Sequence, residues 1–158
     1  MGKYASKTTV SSEKSKTEIE RTLTRYGATE FLYGTKSQWA VIAFKMLGKQ
    51  IRFMLPLPGR TAAEFTEYKR GCYSYERTAD AAGKLYEQSI RQRWRALALV
   101  IKAKLEAVES GITEFEDEFL AHIVLPNGQT MGEFAKPQIE SAYATGEMPS
   151  LLITHQGS

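Results

Sequence analysis

The sequence predicts an α+β fold: an N-terminal helix, a three-stranded antiparallel meander, one long helix, then two or three short helices. Three observations predict it. Apolar residues recur at steps of three and four over 19–26 and over 86–108. They alternate with polar residues over 38–55, around a short glycine-containing link. Glycine or proline punctuates the ends of these stretches. With 158 residues the chain suits one domain around one core, with 1–11 and 147–158 expected to be loose.

In the first helix, Ser11, Ser12 and Ser15 are candidate N-caps, and Ser15 with Glu18 has capping-box spacing. Ile19, Leu23 and Tyr26 form its apolar face, and Gly27 is placed to stop it. The strands follow. Thr29 to Gly34 is rich in aromatics. Gln38 to Met46 puts Ala40, Ile42, Phe44 and Met46 on one face. Gln50 to Leu55 does the same with Ile51, Phe53 and Leu55. Leu47-Gly48-Lys49 is the turn between the last two, and Pro56 and Pro58 end the third strand. Residues 59–77 read as a long irregular connection, with room for a short helix around Ala62 to Tyr68.

The strongest element runs from Ala79 to Glu109 and is closed by Gly111. Tyr86, Ile90, Trp94, Leu97, Ile101, Leu105 and Val108 form one continuous apolar stripe. At 1.5 Å per residue it spans roughly 45 Å, so part of it is expected to pack on another chain or element. Thr113 with Glu116 offers a cap for the next helix, whose apolar face is Phe115, Phe119 and Ile123. Pro126-Asn127-Gly128 is a turn, and Thr130 with Glu133 is another cap. Pro137 suits the first turn of a final helix that ends at Gly146.

Composition narrows the chemistry. No apolar run approaches the ~20 residues a membrane span needs, and Met1 to Ser12 lacks the apolar core of a secretory signal. With Cys72 as the one cysteine there is no intrachain disulfide, and a reducing, cytoplasmic compartment is expected. Cys72, His122 and His155 have no metal-ligand spacing, and no phosphate loop or dinucleotide fingerprint occurs. The acidic cluster at 114–118 reads as a helix start matched to its dipole. No catalytic residue, metal or cofactor is expected.

Charge is distributed unevenly. Residues 1–111 carry 20 Lys and Arg against 11 Asp and Glu, whereas residues 112–158 carry one Lys against seven Asp and Glu. Such a split fits a polyanion partner or head-to-tail pairing with a second copy. Three features point to nucleic acid. Lys84, Arg91, Arg95 and Lys102 fall within about 40° of one another on the long helix, in a row without acids. Arg60, Lys69, Arg70 and Arg77 are interleaved with Phe65, Tyr68, Tyr73 and Tyr75, the mixture that stacks bases and holds phosphates. Trp39, Lys45 and Arg52 are expected to share one sheet face, opposite Ile42 and Phe53.

The segments YASKTTVS (Tyr4 to Ser11) and RQRWRALALVIKAKLEAVESG (Arg91 to Gly111) resemble a family of small, mostly uncharacterised proteins of phages and related mobile elements, over nearly the whole chain. No motif in that family defines an activity, so the resemblance assigns no residue a role. A meander followed by a long helix is also similar, at the level of fold, to single-strand annealing proteins that assemble into rings with a basic groove. The resulting expectation is a non-enzymatic oligomer that binds single-stranded nucleic acid. Phosphates would meet Lys84, Arg91, Arg95 and Lys102, with Arg52, Arg60, Lys69 and Arg70 adding charge and Tyr68, Tyr73 and Tyr75 stacking. The long helix and the acidic C-terminal region would form the subunit contact. The alternative is a protein-interaction module, such as a phage inhibitor of a host protein.

Overall fold

In the computed structural model, which describes residues 5–148, α1 spans Ser12–Arg25. Its N-cap is Ser11, whose hydroxyl accepts from the Lys14 N–H at 3.2 Å. Ser15 and Glu18 form no capping box: Ser15 lies inside the helix, fully buried, and Glu18 pairs with Arg95. Residues 5–11 are tied down rather than loose, because Gln88 Nε2 donates to the Thr8 carbonyl at 3.0 Å. The other ends expected to be loose, 1–4 and 149–158, lie outside the described residues.

The meander forms as expected, with β1 at Thr29–Lys36, β2 at Trp39–Met46 and β3 at Lys49–Pro56, all antiparallel in the order β1-β2-β3. Ala40, Ile42, Phe44, Met46, Ile51 and Phe53 are buried on one face. A bulge between Thr29 and Leu32 resets the register of β1, so Leu32 lies opposite Ala43 on the other face. The β2–β3 link is a two-residue turn in which Leu47 (φ 49°) and Gly48 (φ 73°) are both left-handed. This is the pattern of a I′ turn, which favours Asn-Gly. Leu47 is 65% exposed. Leu47→Asn is therefore expected to stabilise the protein by about 0.5–1 kcal/mol, as relief of left-handed strain. A thermal midpoint at or below the wild-type value would contradict this account of the turn.

The 59–77 connection is not irregular. It holds a one-turn helix, α2 (Ala63–Thr66), and a hairpin of β4 (Glu67–Arg70) and β5 (Tyr73–Glu76). The loop between these strands is Gly71-Cys72, with positive φ at Gly71 alone (65°), the residue that a II′ turn requires to be glycine.

The long helix α3 (Ala79–Glu109) is capped by the Thr78 hydroxyl, which accepts from the Ala81 N–H. Trp94, Leu97, Ile101 and Leu105 of its stripe are buried, and Tyr86, Ile90 and Val108 are partly covered. The length of α3 is used within the chain: it packs on α1, on α2 near its start and on α4 near its end. Together α1, α3 and the inner face of the sheet enclose one core, closed at one end by Phe115 and Phe119.

Past α3, α4 is short (Phe115–Phe119) and continues as a 3₁₀ turn at Leu120–His122. Its N-cap is Glu114, and the expected Thr113–Glu116 capping box is not formed, because the Glu116 carboxylate turns to Lys49 Nζ at 2.8 Å. Ile123 then bridges to Ile51 beside β3. The last helix, α5 (Met131–Thr145), carries the full Thr130–Glu133 capping box. Pro137 is thus the seventh helical residue rather than part of the first turn, since the box starts the helix six residues earlier.

Candidate nucleic-acid interface

The antiparallel register sorts the hairpin residues by face. Tyr68 pairs with Tyr75 and Arg70 with Tyr73, so these four share one face; Glu67, Lys69, Ser74 and Glu76 share the other. The Tyr68 and Tyr75 rings stack with centroids 5.5 Å apart. Tyr73, nearest the tip, is 67% exposed. All eight strand residues are exposed, and the hairpin packs chiefly on α2. Two-stranded ribbons are marginal alone in water, and this one is held at its base by Arg77. That guanidinium lies 5.7 Å from the Tyr68 ring and donates through Nη1 to the carbonyls of Glu64 and Phe65 and, most closely, Glu67. Arg77 is a supporting residue here.

Among the described residues Arg70 has no ion pair, so its charge is available beside the tyrosines. Lys69 points to the opposite face, between Glu67 and Glu76. Arg60 is not part of this surface: it covers the Tyr86 ring at 4.8 Å, and Phe65 meets the same ring edge-on.

The helical row is a different surface from the one its spacing implies. Arg95 pairs with Glu18 of α1, and Lys84 with Asp80 one turn earlier at 2.9 Å. Arg91 donates to Gln88 Oε1, the residue that holds the N-terminal segment, and lines a shallow cleft of about 620 Å³ with Lys7, Thr9 and Ser11. Arg91 and Lys102 are the members without an ion pair among the described residues. The row is not free of acids: Asp80 lies on its own face of α3, and α1 supplies Glu18.

The acidic C-terminal region likewise finds partners inside the chain. Glu116 meets Lys49 at 2.8 Å, Glu133 meets Arg52 at 2.9 Å and Glu118 meets Lys104 at 3.0 Å. Trp39, Lys45 and Arg52 do share the outer sheet face, with Lys45 paired to Glu30. Among the described residues no cluster of three metal-ligating side chains occurs, and no helix is long and apolar enough to cross a membrane.

His122 stacks on Phe53 with ring centroids 4.0 Å apart. Burial, then the positive charges of Lys104 and Lys136, hold its imidazole below the usual pKa of 6.5. The folded state thus favours neutral His122, while the unfolded chain takes up a proton near pH 6.5. The stability from the neutral ring is complete above that pH and is lost as pH falls below it. Glu116 and Glu133, both shifted below the usual 4.5, stay ionised in the upper part of that window. Between pH 7.5 and 5.5 the wild-type thermal midpoint is expected to fall further than that of His122→Phe. Parallel curves would remove His122 as the cause.

No family model, curated protein or solved structure matches this chain. Its site is therefore read from its own residues.

Proposed function

We propose that this chain is a single-stranded nucleic-acid-binding protein, acting as an oligomer without catalysis, and that the β4–β5 hairpin makes its main contact. The observation that carries the reading is the hairpin face itself: Tyr68, Tyr73 and Tyr75 exposed together with unpaired Arg70, on a ribbon that leaves the tyrosine face to solvent. Base–aromatic stacking is tolerant of sequence, and a cation among the rings holds the phosphate between stacked bases. Lys102 adds a backbone contact along α3.

Assembly is supported by β1, which pairs only with β2 and leaves its other edge without a strand among the described residues. The sequence assigned the subunit contact to α3 and the acidic region, but both are engaged within the chain. A second reading, a protein-interaction module, is favoured by α5, where Ile139 and Tyr143 are exposed one turn apart.

Titrating a 30-mer of single-stranded DNA at low and moderate salt, followed by light scattering, separates the two. Binding through phosphates weakens with log[salt] at a slope of about −0.7 per phosphate contacted. A defined complex with that behaviour is expected. If no complex forms at low salt, the nucleic-acid reading fails and the protein-partner reading takes its place.

A further inference from the structure

A second cleft, of about 430 Å³, is built by elements other than the hairpin, where the outer sheet face meets the start of α5. Strand alternation puts Trp39, Arg52 and Met54 on that outer face. On the other side, Gly132 lets α5 approach the 3₁₀ turn closely: a Cβ there would stand 2.9 Å from the Ala121 carbonyl oxygen. That approach sets Glu133 and Lys136 opposite the sheet, with His122 between them in the wall.

The cleft offers an aromatic surface and a cation without an ion pair. Trp39 is 46% exposed. Arg52 Nη2 donates to Glu133 Oε2, yet its Nε is out of reach of solvent and has no acceptor. Lys136 has no ion pair among the described residues. Glu133 is already committed, accepting from both Arg52 and the Thr130 N–H.

We infer that this cleft binds one nucleotide of the single strand. The base stacks on Trp39 beside Met54, and the phosphate meets Lys136. The inference rests on the nucleic-acid reading above, and adds a site that the hairpin does not contain.

The tryptophans make it testable. There are two; Trp94 is 3% exposed inside the core, so a neutral collisional quencher such as acrylamide reports mainly on Trp39. A saturating oligo-dT 30-mer should lower acrylamide quenching to the level of the Trp39→Phe variant. Lys136→Glu and Trp39→Ala should each weaken 30-mer binding about 5- to 10-fold, with thermal unfolding as the check on folding. Thymidine monophosphate at millimolar concentration distinguishes the sources: shielding by it assigns the cleft to any nucleotide, and shielding by the 30-mer alone assigns it to the strand. If the 30-mer binds and Trp39 stays as open to quenching as in the free protein, the cleft inference is overturned while nucleic-acid binding stands. If the 30-mer does not bind at all, both fall.

Discussion

Replacing Tyr68, Tyr73 and Tyr75 together by alanine is expected to lower affinity for single-stranded DNA on the order of a hundredfold, with the fold unchanged. Stacked bases lose roughly 1–3 kcal/mol per aromatic removed. The three losses will not add fully, because Tyr68 and Tyr75 already stack on each other and part of their surface is used in that contact. Tyr73 has no such partner and should show the largest single effect, about tenfold. None of the three belongs to the core, so thermal unfolding should stay within a degree or two of wild type. Cys72, the sole cysteine, sits exposed in the hairpin loop and accepts an environment-sensitive dye. Its emission should change on DNA addition in the wild type and stay constant in the triple variant. Wild-type affinity in the triple variant would end the hairpin assignment. Lys102→Glu isolates the helical row, and a larger loss there than in Tyr73→Ala would move the main contact from the hairpin to α3.

The parts of the fold legible in the sequence are those whose pattern burial dictates. Ile42, Phe44 and Met46 recur at every second position, with Lys45 pointing the other way, because one sheet face is dry, and the α3 stripe repeats every three or four residues because one helix face is dry. The β4–β5 hairpin has no dry face, so no hydrophobic alternation announces it. Its signals are Tyr68 and Arg70 against Glu67 and Lys69, and a Gly-first two-residue loop at Gly71. Read that way, the tyrosines of 59–77 fall on one face and Lys69 drops out of it.

The caps show a different limit. Thr113–Glu116 and Thr130–Glu133 have the same spacing, yet only the second forms a box. Glu116 is drawn to Lys49, a residue 67 positions away that no local rule can see. The charge row fails in part for the same reason: Glu18 arrives only when α1 packs beside α3. Asp80, by contrast, is an acid of α3 itself that the helical wheel places one turn before Lys84. Lys136 and Met54 were invisible as site residues because they come together across the β3–α5 cleft.

Those long-range pairs raise the question of what holds the acidic C-terminal region to the body, and Phe119→Ala answers it. Exposed ion pairs such as Lys49–Glu116 contribute at most about 1 kcal/mol each. Phe119 is fully buried, edge-on to Phe53 of β3 at 6.3 Å and stacked on Phe115 at 4.9 Å. Lys104 Nζ lies 5.9 Å from its ring and donates to the Glu118 carbonyl at 3.0 Å, so the cation seals the edge of the same cluster. Truncating a ring of this kind costs about 3–5 kcal/mol, through lost transfer energy and the cavity left behind. That is a large share of the 5–15 kcal/mol typical of a domain. The urea midpoint should fall accordingly with little change in slope, and Phe119→Leu should lose less than half as much. Amides of 115–145 should gain exchange more than those of β2, because α4 and the 3₁₀ turn are what join α5 to the sheet. The hairpin lies outside this cluster, so its tyrosine face should keep its contribution to DNA binding in the folded fraction. A midpoint shift worth less than about 1 kcal/mol would mean that ion pairs, and not the aromatic cluster, fasten this region.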